Sequence, residues 1–257
     1  MKKAFSLVEL SIVLVILGLL TGGILAGQSL IRAAQLRAIT TEFSRYYSAT
    51  QAFRDKYFQL PGDFNNAQAF WGTANATPAS CVTSTATGTC NGDSNGRIDL
   101  STGSNEPFRF WQHLASAGLI EGNYSGVDGT PNTTVTCDTT NCPRSKLTPG
   151  LWFAYYFGTK SGDAGLFDGQ YNNVLEVGTV ASTGGNPWTP LLKPEEMWNI
   201  DTKMDDGQPG NGKVVMNGLF ANCTTATATS PSTQAATAQY LLTSTSLGCA
   251  VVFRNLF

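Results

Sequence analysis

The sequence predicts an α+β chain: one long N-terminal helix laid along a small, mainly antiparallel sheet, within a loop-rich body stapled by disulfides. Three observations carry that expectation. The first sixty residues read as a continuous helix whose opening stretch, Phe5 to Ala26, is almost wholly apolar. Four short runs rich in β-branched and aromatic residues follow in the second half of the chain. All six cysteines lie after residue 80, where they can pair across loops.

Phe5–Ala26 is about 22 residues, or ~33 Å of helix, enough to span a hydrocarbon core of roughly 30 Å. Glu9 interrupts it, and a carboxylate at a bilayer centre costs about 3 kcal/mol. A secretory signal peptide is one reading, with Lys2 and Lys3 as its basic start and a cut after Ala26. Against it, the run is longer than an ordinary signal core, and Ile24 fits a small-x-small cleavage site poorly. A plain membrane anchor leaves Glu9 unexplained. Arg32 and Arg37 offset Lys2 and Lys3, so loop charge does not fix an orientation.

Beyond the apolar run, Leu36, Ile39, Phe43, Tyr46, Thr50, Phe53 and Tyr57 recur in steps of three and four, one stripe with a single polar break. The helix is expected to end before Pro61. Gly18, Gly22, Gly23 and Gly27 weaken its apolar part by up to ~1 kcal/mol each relative to alanine.

In the body, "NNAQAFW" predicts a short helix. "SNEPFRFWQHLASAGLI" predicts a stronger one with Phe108, Trp111, Leu114 and Ala115 on one face, stopped by Gly118. "KPEEMWNIDTKM" opens with Pro194 and two glutamates, as a helix start does. "LWFAYYF", "NNVLEVGTV", "KVVMNGLF" and "CAVVFRNLF" read as strands, and the rings of Trp152 to Phe157 read as core on both faces of the first. Stretches 73–90 and 222–238, rich in Thr, Ala and Ser, read as loops.

A net charge of −2 with 13% charged residues supplies no basic field for nucleic acid. No nucleophile elbow, zinc-protease or phosphate-loop motif is present, and the single histidine, His113, sits in a structural helix, so no catalytic residue is assigned. The cysteines lack CxxC spacing and favour oxidised pairs outside the cytosol. Of fifteen pairings, spacing favours the sequential set Cys81–Cys90, Cys137–Cys142 and Cys223–Cys249.

"NGDSNGRID" is the best ligand candidate. Asn91, Asp93 and Asn95 alternate, Gly96 permits a sharp turn, Arg97 offers a carbonyl, and Asp99 follows, as in the first places of an EF-hand-like calcium loop. Asn91 stands where an aspartate is usual. Thr102 stands where a glutamate closes such loops, with Glu106 near enough to fold back. The competing reading is a turn held by side-chain-to-backbone bonds. Asp201, Asp205 and Asp206 form a second, weaker calcium candidate, in which Lys203 occupies a ligand place and suggests a Lys–Asp pair instead. Calcium is the one cofactor considered, and none is assigned with certainty.

The opening "KKAFSLVELSIVLVILGLL" resembles the N-terminus of type IV prepilins and type II secretion pseudopilins: a short basic leader, then Phe, then a hydrophobic stretch with Glu fifth. The resemblance implies a pilin-like fold and cleavage between Ala4 and Phe5 by a prepilin peptidase that also methylates the new Phe5 amine. Ala4 replaces the family's usual glycine. It divides the chain into a leader (1–4), a helix (5–59, with 5–26 in the membrane) and a body (60–257). It implies a non-enzymatic pilus or pseudopilus subunit, major or minor, anchored by one pass in the bacterial inner membrane with its body in the periplasm. Its partners are the peptidase, other subunits and the inner-membrane assembly platform. Glu9, one helical turn from the Phe5 amine, becomes an assembly residue that pairs with its own or a neighbour's terminus. The two acidic stretches, with "LPGDF" before them, resemble a subgroup of prepilin-like proteins, and some pseudopilins bind calcium. The alternative is an exported soluble ligand-binding or adhesive protein with an ordinary signal peptide.

Overall fold

The computed structural model describes residues 6–74, 88–100, 105–127, 136–163, 165–181, 185–218, 220–226 and 234–257. Helix α1, Leu7–Tyr57, runs unbroken through all four of its glycines. Ser6 caps its start: Val8 N–H donates to the Ser6 hydroxyl, and Ser6 N–H donates to the Glu9 carboxylate at 2.9 Å, satisfying two of the otherwise orphaned amides. It stops where Phe58 turns left-handed (φ 58°) and returns its N–H to the Arg54 carbonyl, three residues before Pro61.

The stripe read from the sequence is the face that meets the body. Ile39, Tyr46, Thr50 and Phe53 are buried, and Leu36, Phe43 and Tyr57 pack against the same core. Phe43 stacks on Phe253 with ring centroids 4.0 Å apart, and Tyr46 meets Trp111 and Trp152 edge-on. Thr50, the polar break, hides its hydroxyl by donating to the Tyr46 carbonyl.

Two polar anchors fix the stem to the body. Glu42 is buried, and its carboxylate accepts from Ser145 Oγ, Lys146 N–H and Trp152 Nε1–H, each at 2.8 Å. Near the apolar end, Arg32 Nε donates to Glu196 at 2.6 Å and its Nη2 donates to the Leu191 carbonyl.

After the short helix α2 (Ala67–Trp71) and helix α3 (Glu106–Ser116), strands β1 (Leu151–Lys160) and β2 (Gly169–Gly178) form an antiparallel pair. Helix α4 (Pro194–Met204), strand β3 (Val214–Gly218), helix α5 (Phe220–Cys223) and strand β4 (Cys249–Phe253) follow. The sheet order is β1-β2-β4-β3, antiparallel throughout. Period-two alternation sends Trp152, Ala154, Leu175, Val177, Val251 and Phe253 to the stem. The opposite face buries Phe153 beside Phe108, and Val174, Val215 and Val252 around Tyr171.

Two expectations need correction. "KVVMNGLF" is not one strand: β3 ends at Gly218 and Phe220 begins α5. Gly218 already pairs with Cys249, and Cys223 is disulfide-bonded to the same residue, so the chain has to double back at once. Helix α3 is not one-faced either, since Glu106, Arg109 and His113 are buried with its aromatic residues. It lies between the sheet and the turns around Gly62 and Cys90. His113 Nδ1 accepts from Gly62 N–H, while its Nε2 sits 3.0 Å from Thr89 Oγ1. Burial, with Arg109 nearby, lowers the imidazole pKa to about 3 and keeps it neutral.

The bridges Cys137–Cys142 and Cys223–Cys249 are present. Cys90 is disulfide-bonded as well, and its expected partner Cys81 lies outside the described residues.

Candidate functional site

The chain presents two places of functional interest. The first is the exposed half of α1. Ala4 and Phe5 lie outside the described residues. The most apolar window of α1 is long enough to cross a membrane, and none of it is buried against the body. A signal sequence passes the same test of length and composition. Glu9 is exposed on this segment, with its carboxylate already turned to the helix start.

The second is an acidic pocket where three segments meet. The Leu60–Pro61–Gly62–Asp63 turn follows α1 and docks on the first turns of α3. Gly62 has φ 87°, and a Cβ there would lie 2.5 Å from the Glu106 carbonyl oxygen. Asp63 then reaches into the next loop, accepting from Asn95 N–H (3.0 Å) and Gly96 N–H (2.9 Å). Gly92 crosses so close that a Cβ would sit 2.3 Å from the Asp63 backbone, so this position excludes side chains. Glu106, the first residue of α3, folds back and accepts from Asp93 N–H and Asp99 N–H, both at 3.1 Å. Asn173 of β2 ties the loop to the sheet by accepting from Ile98 N–H and donating to the Gly96 carbonyl.

Carboxylate oxygens of Asp63, Asp93 and Glu106 thus converge within 4.8 Å, with Asp63 and Glu106 buried and Asp93 at the exposed lip. Of the five residues read as a calcium loop, only Asp93 brings its carboxylate to this cluster. Asn91 accepts from Gln68 N–H, Asn95 accepts from Arg97 N–H, and the Arg97 guanidinium lies over the Tyr156 ring. Asp99 contributes its backbone amide to Glu106. Those side-chain-to-backbone bonds belong to the competing turn reading. Thr102 lies outside the described residues. Glu106 folds back to join Asp93, and Asp63 is the third acid, which sequence reasoning missed. Its signal was an aspartate directly after the Pro–Gly that ends the stem.

Neither Asp63 nor Glu106 makes an ion pair among the described residues. Burial, with Asp63 and Asp93 adding like charge, pushes Glu106 up to about 8, and burial with Asp93 beside it pushes Asp63 up to about 6. Clustered hard oxygens without a cation are the donor chemistry calcium takes. The folded-state values exceed the ordinary 4.5 and 3.8, so without a cation these groups favour the fold most below those values. That contribution is lost as pH rises through 6 and then 8. A calcium ion bound here would displace the protons and reverse the trend. The full chain in detergent is therefore expected to melt higher in millimolar calcium than in chelator, by about 2.7 kcal/mol at a hundredfold excess over Kd. The gain should be larger at about pH 8 than at about pH 5, and absent in Asp93→Ala and Glu106→Gln. Superimposable melting curves with and without calcium would leave a turn and nothing more.

The second acidic stretch also closes on itself. Asp201, Asp205 and Asp206 converge within 4.8 Å. Asp201 is buried and accepts from Tyr240 OH (2.7 Å) and Gly207 N–H, Asp205 accepts from Lys213 N–H and Val214 N–H, and Asp206 accepts from Gln208 N–H. These bonds splice α4 to β3 and to the segment before β4. The expected Lys203–Asp pair does not form among the described residues.

Comparison of the chain with protein families, with characterised proteins and with solved structures returns no match.

Proposed function

We propose that this chain is a structural subunit, a pilin or pseudopilin, of a bacterial type IV pilus or type II secretion pseudopilus, cut between Ala4 and Phe5 and assembled through α1. One observation carries the reading: a single continuous helix is divided into two halves of opposite character. From Ile39 onward it is keyed into the body, whereas the part before Arg32 is an exposed apolar rod carrying one acid, Glu9. Such a rod has no stable place in water. Lipid covers it before assembly, and the rods of neighbouring subunits cover it within a filament. The body then sits outside the inner membrane on a single pass, and its disulfides suit an oxidising compartment. The work is mechanical, with cleavage, energy and platform supplied by partner proteins.

An exported soluble protein with an ordinary signal peptide differs from this only at the N-terminus. A cut after Ala26 would leave Arg32 through Tyr57, and so every stem–body anchor, in place. The mature terminus is therefore the test. Co-expression with a prepilin peptidase should yield Phe5 as the first residue, carrying one added methyl group. Recovery of Gly27 as the first residue would overturn the proposal in favour of the soluble protein.

A further inference from the structure

Contacts along α1 give the body a height scale above the apolar rod. Arg32 makes the first hydrogen bonds from the stem to the body, to Leu191 and Glu196. Phe43 then meets Phe253, Tyr46 meets Trp111, and Phe53 meets Phe64 and Trp71 near the far end. The segment around Leu191–Glu196 is therefore the base of the body. Residues 247–249 lie there too, since Gly248 and Cys249 donate their N–H groups to the Leu192 carbonyl.

Large exposed hydrophobic side chains gather at this base. Trp188, Trp198, Leu242 and Leu247 are 38–52% exposed. Trp188 is three residues from Leu191, and Leu247 adjoins Gly248. Trp198 lies on α4 two residues past Glu196 and lines one cleft with Leu242. Arg32 is six residues past Ala26, or ~9 Å of helix, and a headgroup layer extends roughly 5–7 Å from the hydrocarbon, so the base stands above that layer by less than the length of a tryptophan side chain. Tryptophan bodies with polar tips favour that layer.

We propose that the base of the body is a lipid-contacting face, with Trp188, Trp198, Leu242 and Leu247 seated in the headgroup layer of the membrane that α1 crosses. This rests on α1 being a membrane span. The occupant is lipid because the face adjoins the apolar rod, within about two helical turns of where the rod leaves the hydrocarbon. Exposed Lys193 and Glu195 offset each other, so the contact is apolar in origin and indifferent to lipid charge.

The test is fluorescence quenching of the full chain reconstituted in phosphatidylcholine vesicles whose acyl chains carry bromine either near the headgroup or near the bilayer centre. Trp111 and Trp152 are buried, and Trp71 packs at the far end of the stem, so Trp188 and Trp198 should report the contact. Shallow bromine should quench and deep bromine should not, equally with phosphatidylglycerol added. The conservative double variant Trp188→Phe, Trp198→Phe should lose most of the quenching. A chain that resists alkaline extraction yet shows no shallow quenching, or quenching unchanged in the double variant, overturns the lipid face and leaves the span standing. Loss of the chain on alkaline extraction overturns both. Shielding of these tryptophans from acrylamide in detergent that grows with protein concentration would make the occupant a second copy, and the proposal fails.

Discussion

Glu42→Ala is expected to lower stability by about 3 to 5 kcal/mol, which for a body of this size is a fall in Tm on the order of 10 °C. The magnitude follows from what the substitution leaves behind. Ser145 can turn its hydroxyl elsewhere, but the Trp152 indole N–H and the Lys146 amide are fixed toward a carboxylate that is no longer there. Each donor left without an acceptor in the interior costs about 1–3 kcal/mol, and bonds to a charged acceptor stand at the upper end. Glu42→Gln keeps one carbonyl acceptor and should cost clearly less. Exposed Glu121→Ala should lie within about 0.5 kcal/mol of wild type. Thermal unfolding of the full chain in detergent, followed by near-ultraviolet circular dichroism, reads all three. If Glu42→Ala melts with wild type, the stem is held by its apolar stripe alone.

Hydrophobic patterning conveys part of this fold and hides the rest. Period and punctuation delivered the stem, its seven-residue stripe, its stop before Pro61, and the helices and strands that bury a regular face. Glu42 was invisible because it lies one position before Phe43 on a helix rich in polar residues. Nothing in its neighbourhood announces that three donors from residues 145–152 converge on it. Arg32 entered the sequence reading only as a loop charge, since its partner Glu196 is 164 residues away. The acidic pocket was half legible. "NGDSNGRID" marked the right loop, but the loop's own asparagines serve turns. The acids that join Asp93 come from a helix start and from the turn after the stem, and only the packing of α3 brings them together. Burial of His113 and Arg109 was equally hidden, because helical periodicity does not reveal a helix that buries polar side chains beside its aromatic ones.

Glu9→Leu is expected to leave insertion and cleavage normal while sharply reducing incorporation into filaments. Were the carboxylate merely tolerated in lipid, its loss would favour insertion by up to about 3 kcal/mol and leave assembly untouched. Were it the receiver of a subunit's terminal amine in an apolar core, removing it would strand that amine at a cost of about 3–5 kcal/mol, which outweighs the gain. The structure adds a third role that needs separating, since Glu9 accepts from Ser6 N–H at the start of α1. Glu9→Gln makes the separation, because its amide oxygen still accepts from Ser6 while its charge is gone. A residue that only caps the helix predicts near-normal filaments for Gln and a modest loss for Leu, since a lost cap costs about 0.5–2 kcal/mol. A residue that receives an ammonium predicts that Gln and Leu fail together, with Glu9→Asp in between because it keeps the charge on a shorter reach. Sheared-filament recovery, measured beside the total membrane level of each variant, decides between them. Filaments at wild-type yield from Glu9→Gln would reduce this carboxylate to a helix cap and remove it from the assembly interface.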